Sequence, residues 1–264
     1  MKYITITSSN LAKYTGHNTY EKTEKTVNQL LTKCGIEDRY VPKTNTEESL
    51  VKLSQEQLQQ LKVELQLPDT ASLDLVESAI KSQIMSQSYS ASLTEEQSKQ
   101  CIDQKVKDKP MLQQVSQGMK QDLRMRRGNI KEQQNLNKIQ TTKHMKIDQR
   151  NSKMYTKELY RCDDYVILLR GKVDGQSIGE DGEGIIIESK NRTKQLFKRL
   201  RSYEQVQLEA YMFLTGYQKA LLTEHYNDTE HCIEYQHNEE FWHECLQKTI
   251  DFMNTHIKPL LKPT

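Results

Sequence analysis

Glycine and proline are scarce in this 264-residue sequence, at ten and five residues, and there is one tryptophan. Lys, Gln, Asn and Thr take their place, which reads as compositional bias and not as a functional signal. No repeat period stands out, so a solenoid or an array is not expected. No run of roughly eighteen apolar residues occurs, so no membrane-spanning helix and no membrane partner are expected. The opening "MKYITITSSN" has neither a long apolar stretch nor a cleavage-like end, so it is not read as a secretory signal. The cysteines (Cys34, Cys101, Cys162, Cys232, Cys245) are odd in number and scattered, with no C-x-x-C. Reduced thiols in an intracellular compartment, cytoplasm or nucleus, are the plain expectation. Charge of one sign is also missing: the net charge is only +2, so any basic surface for nucleic acid must be local. What remains is polar, 35% hydrophobic and 28% charged, which allows a packed core if the core is concentrated in part of the chain.

Residues 1–7 alternate like a short strand. "SSNLAKYTGHNTY" reads as a helix starting near Ser9 and stopping at Gly16. A second helix is expected over about 22–34, closed by Gly35. From about 45 to 120, Leu50, Leu53, Leu58, Leu61 and Leu65 recur at helical spacing in a Gln- and Glu-rich background. This is expected to be a helical insert or lobe, with Thr94 and Gln97 forming a capping box and Pro68 and Pro110 as punctuation. Residues 121–147 carry another long helical pattern. Two strands are expected at about 164–174 and 184–190, then a helix ended by Gly216, strands in "KALLTEHY" and "HCIEYQ", and a last amphipathic helix. The expected fold class is α+β with an α/β core, within a single domain 1–264 whose core covers about 121–258.

The most informative stretch is "RGKVDGQSIGEDGEGIIIESKNR", from Arg170 to Arg192. Residues two apart in a strand share a face, so Glu188 and Lys190 point the same way. Asp174, at the end of the first run, converges on them if the two runs pair across the turn. Burying two carboxylates together costs on the order of several kcal/mol unless something compensates. Lys190 offsets one charge. A divalent cation offsets the other, since Mg²⁺ is commonly held by one or two carboxylates plus water and phosphate. A cation held there lowers the pKa of bound water and polarises a phosphoryl oxygen, so phosphodiester hydrolysis is the natural chemistry. An isolated D…E-x-K is more often a surface salt bridge. Here Glu132 lies upstream in a helical stretch, after Gly128, and Gln207 and Tyr211 lie downstream as i, i+4 neighbours on a helix.

That ordered set, Glu132, Asp174, Glu188-Ser189-Lys190 and Gln207, resembles the PD-(D/E)xK nuclease superfamily. The helix "SYEQVQLEAYMFLTG" followed by a strand, and the early "SSNLAKYTG", look like its phage lambda-type exonuclease branch (the viral alkaline or recombinase exonucleases), related to RecB-type nuclease domains. The resemblance covers about residues 1–35 and 121–258. It implies a restriction-endonuclease-like mixed sheet flanked by helices, and a Mg²⁺-dependent (or Mn²⁺-dependent) DNA exonuclease acting on duplex ends, 5′ to 3′, in viral or mobile-element recombination, repair or genome processing. The same motifs serve structure-specific and single-strand endonucleases, and a non-catalytic DNA-binding descendant is a further alternative. By the resemblance, Asp174 and Glu188 hold the metal, helped by the Ser189 carbonyl, Glu132 completes the metal site through water or directly, Lys190 is the catalytic lysine, and Gln207 positions it or the scissile phosphate. Ser8 or Ser9 takes a terminal 5′ phosphate. The branch's arginine ahead of the serine motif has no counterpart here, where Lys2 is the only base, and Val173 stands in place of the superfamily's proline. Ring-forming homo-oligomers and a single-strand annealing protein are the implied partners besides DNA. Beside the motif set, Lys194, Lys198, Arg199 and Arg201 form a basic run placed to track a DNA backbone, and Arg127, of "RMRR", and Tyr211 are further candidates for DNA contact. The His and Cys residues between His225 and Cys245 fit no zinc spacing, and His231 and Cys232, adjacent on a strand, point to opposite faces.

Overall fold

The structure is a computed structural model that describes residues 1–35, 42, 44–90, 92–179 and 181–261. The chain divides into two compact units, Met1–Arg39 with Glu132–Thr264, and Tyr40–Lys131. The described residues form seven strands and nine α-helices, and no helix among them is long and apolar enough to cross a membrane.

The first unit is a mixed α/β body. Strand β1 (Lys2–Thr7) runs parallel to β3 (Tyr165–Gly171), and β2 (Tyr155–Arg161) pairs antiparallel with β3 on its other side. A second sheet has the order β4-β5-β6-β7, built from Gly175–Ile178, Gly184–Asn191, Lys219–Tyr226 and Thr229–Gln236. Strands β4 and β5 are antiparallel, β5 and β6 parallel, and β6 and β7 antiparallel. A parallel pair needs a crossover, and α8 (Ser202–Thr215) supplies it between β5 and β6. The helix stops at Gly216, whose φ of +83° suits a residue without a Cβ. Helices α1 (Ser8–Tyr14), α2 (Thr23–Lys33) and α9 (Glu239–His256) add their apolar faces to the same core as Ile4, Ile6, Ile167, Leu169, Ile186, Val206, Leu222, Trp242 and Met253. Gly171 lets the start of α1 sit against β3, because a Cβ there would collide with the Ser8 hydroxyl.

The expected hairpin is corrected by this topology. The first apolar run, β3, does not pair with β5; it sits in the other sheet between β1 and β2. The partner of β5 is β4, inside what was expected to be loop, and Asp174 stands just before β4 and not at the end of β3. The consequence for chemistry survives the change. Gly175 lies opposite Ile187, so Asp174 is still delivered to Glu188. Glu180 of the connecting turn lies outside the described residues.

The second unit is helical: α3 (Asn45–Val51), α4 (Gln55–Glu64), α5 (Leu73–Ala79), a π-helical turn (Ile80–Met85), α6 (Glu95–Val106) and the first part of α7. Its core joins Leu50, Leu61, Leu65, Val76, Ile80, Ile102, Leu112 and Leu123. The α4 and α6 starts carry full capping boxes at Ser54/Gln57 and Thr94/Gln97. Helix α7 spans Pro110–Thr142, so it begins well before residue 121. Pro110 opens it instead of breaking it, since the first turn needs no N–H there. The Glu64 carboxylate accepts from the N–H groups of Met111 and Leu112 and caps it.

Candidate active site

The site lies in the first unit, where β5, the entry to β4, α8 and the later part of α7 bring their polar groups together. On β5, Ile186, Glu188 and Lys190 share a face. Ile186 reaches the main core, while Ile187 on the opposite face packs with Leu136 and Ile139 of α7 and with Leu221. The strand is covered on both sides, so the charges are there because the fold holds them there.

Glu188 is 3% exposed. Its Oε1 accepts from the Lys190 ammonium at 2.6 Å, and its Oε2, buried, has no hydrogen-bond partner. Lys190 also donates to Gln207 Oε1 at 3.0 Å, and Gln207 in turn donates from Nε2 to the Tyr211 hydroxyl at 2.8 Å. Gln207 and Tyr211 are one turn apart on α8, which is why one helix face serves both contacts. Asp174 Oδ2 accepts from the Ser189 main-chain N–H at 2.8 Å. Ser189 Oγ accepts from Asn135 of α7 at 3.4 Å. Glu132, also on α7, accepts from the Asn151 side chain at 3.1 Å, and the Asn151 main-chain N–H donates to the Asp174 carbonyl at 3.1 Å.

The electrostatics follow from having one ammonium among three carboxylates. Burial first, then the charges of Glu188 and Glu132, push the Asp174 carboxyl well above the usual carboxylate range against the pull of the Ser189 N–H and Lys190. Burial and the Glu188 charge raise Glu132, with Asn151 and Lys190 opposing. Burial alone would lower Lys190, but the charge and hydrogen bond of Glu188 outweigh it and raise the ammonium. Burial and the same carboxylates hold the Tyr211 phenol protonated far above its ordinary range.

The expected residues Glu132, Asp174, Glu188, Ser189, Lys190 and Gln207 thus fall in one neighbourhood. Among the described residues, no three His, Cys, Asp or Glu side chains group closely enough to hold a metal ion directly, so Glu132 is not placed as a third direct ligand. Glu132 is drawn to Asn151 instead. The pair Asp174 and Glu188 still fits a divalent cation. Glu188 Oε2 is a buried oxygen with no partner, the Asp174 carboxyl is perturbed by neighbouring negative charge, and Mg²⁺ needs only one or two carboxylates beside water.

The DNA-contact candidates divide. Ser8 is buried and its hydroxyl donates to the Arg170 carbonyl at 3.4 Å, so its job is to seat α1 on β3. Ser9 is exposed and lines an open cleft of about 460 Å³ with Thr7, Arg170, Lys172 and Tyr211. Arg170 of β3 stands opposite Thr7 and brings a base to this cleft. Tyr211 reaches that cleft but is 5% exposed. Lys194, Lys198 and Arg199 are exposed on the loop before α8. Arg201 is not free: its guanidinium lies 4.3 Å from the centre of the Phe197 ring, which also receives Arg192 at 4.2 Å. Arg127 is a clear correction. It is 4% exposed inside the helical unit, where its guanidinium donates to the carbonyls of Ser90 and Leu93 and to the Ser98 hydroxyl. An arginine so enclosed is structural.

Two contributors were missed. Asn151 has φ of +44°, a left-handed conformation that asparagine tolerates best among residues with a side chain. Its place in the polar stretch "RNSK" is a turn signal, and nothing local points to Glu132 or Asp174. Arg192 ion-pairs with Glu204 at 2.7 Å and with Glu224 at 2.5 Å, both carboxylates at most 1% exposed. Glu224 also accepts from the N–H groups of Phe197 and Lys198, which pins the basic loop. The alternation of Glu188 and Lys190 on β5 with Arg192 just past its end was the available signal.

No family model matches the chain, and no curated protein matches it. Among solved structures, the chain is similar to an alkaline exonuclease, LHK-Exo, from Laribacter hongkongensis, at 12% identity and a TM-score of 0.41 over 52% of this chain and 70% of that one. A second crystal structure, of LHK-Exo in complex with dAMP, gives 12% identity and a TM-score of 0.41 over 52% of this chain and 69% of that one.

Proposed function

We propose that this chain is a metal-dependent nuclease of the PD-(D/E)xK type that hydrolyses DNA phosphodiesters. The observation that carries it is the Lys190 ammonium, held at 2.6 Å by Glu188 and 3.0 Å by Gln207 beside a second partly buried carboxylate, Asp174. Here negative charge exceeds positive, one buried carboxylate oxygen has no partner, and the lysine is fixed from two sides with about a quarter of its side chain open to solvent.

Asp174 and Glu188 would hold a divalent cation, Mg²⁺ or Mn²⁺, with Glu132 reaching it through water and the Ser189 carbonyl as a further donor. Such a cation, when bound, lowers the pKa of a water and polarises a phosphoryl oxygen. Lys190 has three N–H groups, of which Glu188 and Gln207 take two. The third is available to orient the attacking water or to meet charge growing on the phosphate. Gln207 fixes the lysine's direction, and its bond to the Tyr211 hydroxyl fixes Gln207. Ser9, Arg170 and Lys172 bring a hydroxyl and two bases to a cleft that reaches Tyr211 and therefore suits a strand-terminal phosphate. On this reading the enzyme works on linear duplex ends, 5′ to 3′, in recombination, repair or genome processing, as a homo-oligomer or beside an annealing protein.

The test is hydrolysis of end-labelled linear duplex DNA with Mg²⁺ and with EDTA, for wild type and Lys190→Ala, with closed circular DNA alongside. Metal- and Lys190-dependent loss of linear DNA alone is expected, with polarity read from the label. Cleavage of circles would make the protein an endonuclease. DNA binding with no cleavage under Mg²⁺ or Mn²⁺ would refute the enzyme.

A further inference from the structure

Tyr20 is the most exposed large hydrophobic side chain described, 85% open to solvent. It sits in a turn after α1, and its ring meets that of Tyr203 edge to face, at 6.2 Å and 79°. Tyr203 is not a random surface residue. On α8, Tyr203, Gln207 and Tyr211 follow at four-residue steps and share one face. Gln207 holds Lys190, so Tyr203 stands one turn from the contact that fixes the ammonium.

The surroundings say what the ring pair faces. The loop carrying Lys194, Lys198 and Arg199 leads into α8 immediately before Tyr203. Its fold is set by Glu224, which takes the N–H groups of Phe197 and Lys198 and lets Lys198 adopt a φ of +54°. The exposed cations are thus presented from a tethered segment. Aromatic rings beside a basic track are the recurring arrangement for single-stranded nucleic acid: cations follow the backbone and rings take the bases. A hydrophobic peptide would need no basic flank, and a folded duplex offers no free base faces.

We propose that Tyr20, backed by Tyr203, is a stacking platform for an unpaired base of the strand entering the Lys190 site. The platform rests on the nuclease reading and adds to it that the enzyme acts on a strand whose bases are already unpaired at the site. Tyr203 sets the angle of Tyr20 from its half-buried position, and Tyr20 offers its faces to the base.

The experiment uses the full chain in EDTA, so that binding is read without cleavage. Affinity is measured for a single-stranded oligonucleotide of about a dozen residues containing 2-aminopurine, and for an abasic oligonucleotide of the same length. Wild type, Tyr20→Ala and Tyr20→Phe are compared. Tyr20→Ala is expected to weaken the base-bearing strand about tenfold, leave the abasic strand unchanged and abolish 2-aminopurine quenching. Tyr20→Phe keeps the ring and is expected to behave as wild type. Unchanged binding of the base-bearing strand by Tyr20→Ala would overturn the platform while leaving the nuclease reading intact. An equal loss on both strands would also overturn it. If the wild type binds neither strand, the nuclease reading falls and the platform with it.

Discussion

Replacing Asp174 by asparagine should make the metal-free protein more stable and destroy its activity. Glu188 has Lys190 at 2.6 Å, whereas Asp174 has only a main-chain N–H, from Ser189, at 2.8 Å. Asparagine keeps an oxygen for that N–H and removes the charge. The substitution also relieves the repulsion from Glu188 and Glu132 and gives up the attraction of Lys190; the raised carboxyl says repulsion and burial win, and a gain of about 1–2 kcal/mol, the worth of roughly one unit of pKa shift, is expected. That is a rise in Tm of roughly 2–8 °C for a body of this size. The pH dependence has a definite sign. The folded-state pKa of Asp174 is raised, so the native state binds the proton more tightly than the unfolded chain. Its contribution to stability therefore falls as pH rises from the ordinary carboxylate pKa through the folded one, and is lowest above it. In EDTA the gap between Asp174→Asn and wild type should open over that window and stay open at neutral pH. Adding Mg²⁺ should reverse the order, since a ligand at a hundred times its Kd adds about 2.7 kcal/mol to whichever form binds it. Thermal melts at several pH values, with and without Mg²⁺, read all of this. A variant that melts below wild type in EDTA, or that gains as much from Mg²⁺, would refute the reasoning.

Other substitutions separate chemistry from scaffold. Lys190→Met should cut hydrolysis by about 10²–10³ or more and also lower stability in EDTA, because it leaves Glu188 buried without its ammonium; single-turnover rates and melts check the two effects. Asn151→Ala should weaken the apparent Mn²⁺ affinity about 10–100-fold, the usual effect of removing a group that orients ligands, while melting in EDTA changes little; equal Mn²⁺ titrations would dismiss the role. Arg192→Ala should cost about 3–5 kcal/mol by stranding Glu204 and Glu224, and Arg192→Lys should recover only part of it, since a single ammonium cannot replace a planar fork between two carboxylates. Arg127→Ala should lower the stability of the helical unit and leave DNA affinity unchanged, measured by melts and by binding in EDTA.

Much of the fold was legible because local signals and tertiary structure agree. Helices α2, α8 and α9 have apolar periodicity and clear stops, as at Gly216, and β6 and β7 are apolar runs of ordinary length. Strand β2 was missed because "YTKELYR" is mostly exposed and half charged, so no burial pattern marks it. Strand β4 was missed because "GQSI" is four residues long and lies in a Gly-rich turn. The assignment of β3 to a separate sheet depends on its pairing with β1, more than a hundred residues away, which no local pattern carries. Arg127 was misread because a basic run looks the same whether its side chains face water or carbonyls. The site was readable where spacing within one element sets it, as in Glu188 with Lys190 or Gln207 with Tyr211. It was not readable where a loop does, as with Asn151.

The face of β5 that bears Glu188 and Lys190 leads on to Arg192, one residue past the strand's end at Asn191, and two charge clusters lie along this stretch. Arg192 lies against Glu204 and Glu224, and Glu224 takes Arg192 Nε at 2.7 Å and Lys198 N at 2.7 Å. Each Glu224 oxygen is thus engaged, in a place that is 0% exposed. Such a cluster holds a loop still and has no further use for a cation. Two residues earlier, Lys190 serves Glu188 and Gln207 together, Glu188 keeps an oxygen without a partner, and Asp174 is left to a single N–H. Both clusters set one cation against at least two carboxylates and leave one glutamate oxygen without a hydrogen bond, Glu204 Oε1 in the first and Glu188 Oε2 in the second, so the difference lies in exposure: the Arg192 side chain is 9% open to solvent and that of Lys190 24%. On the proposed reading, the cluster whose lysine still meets solvent is the one that a cation and a phosphate would complete from outside.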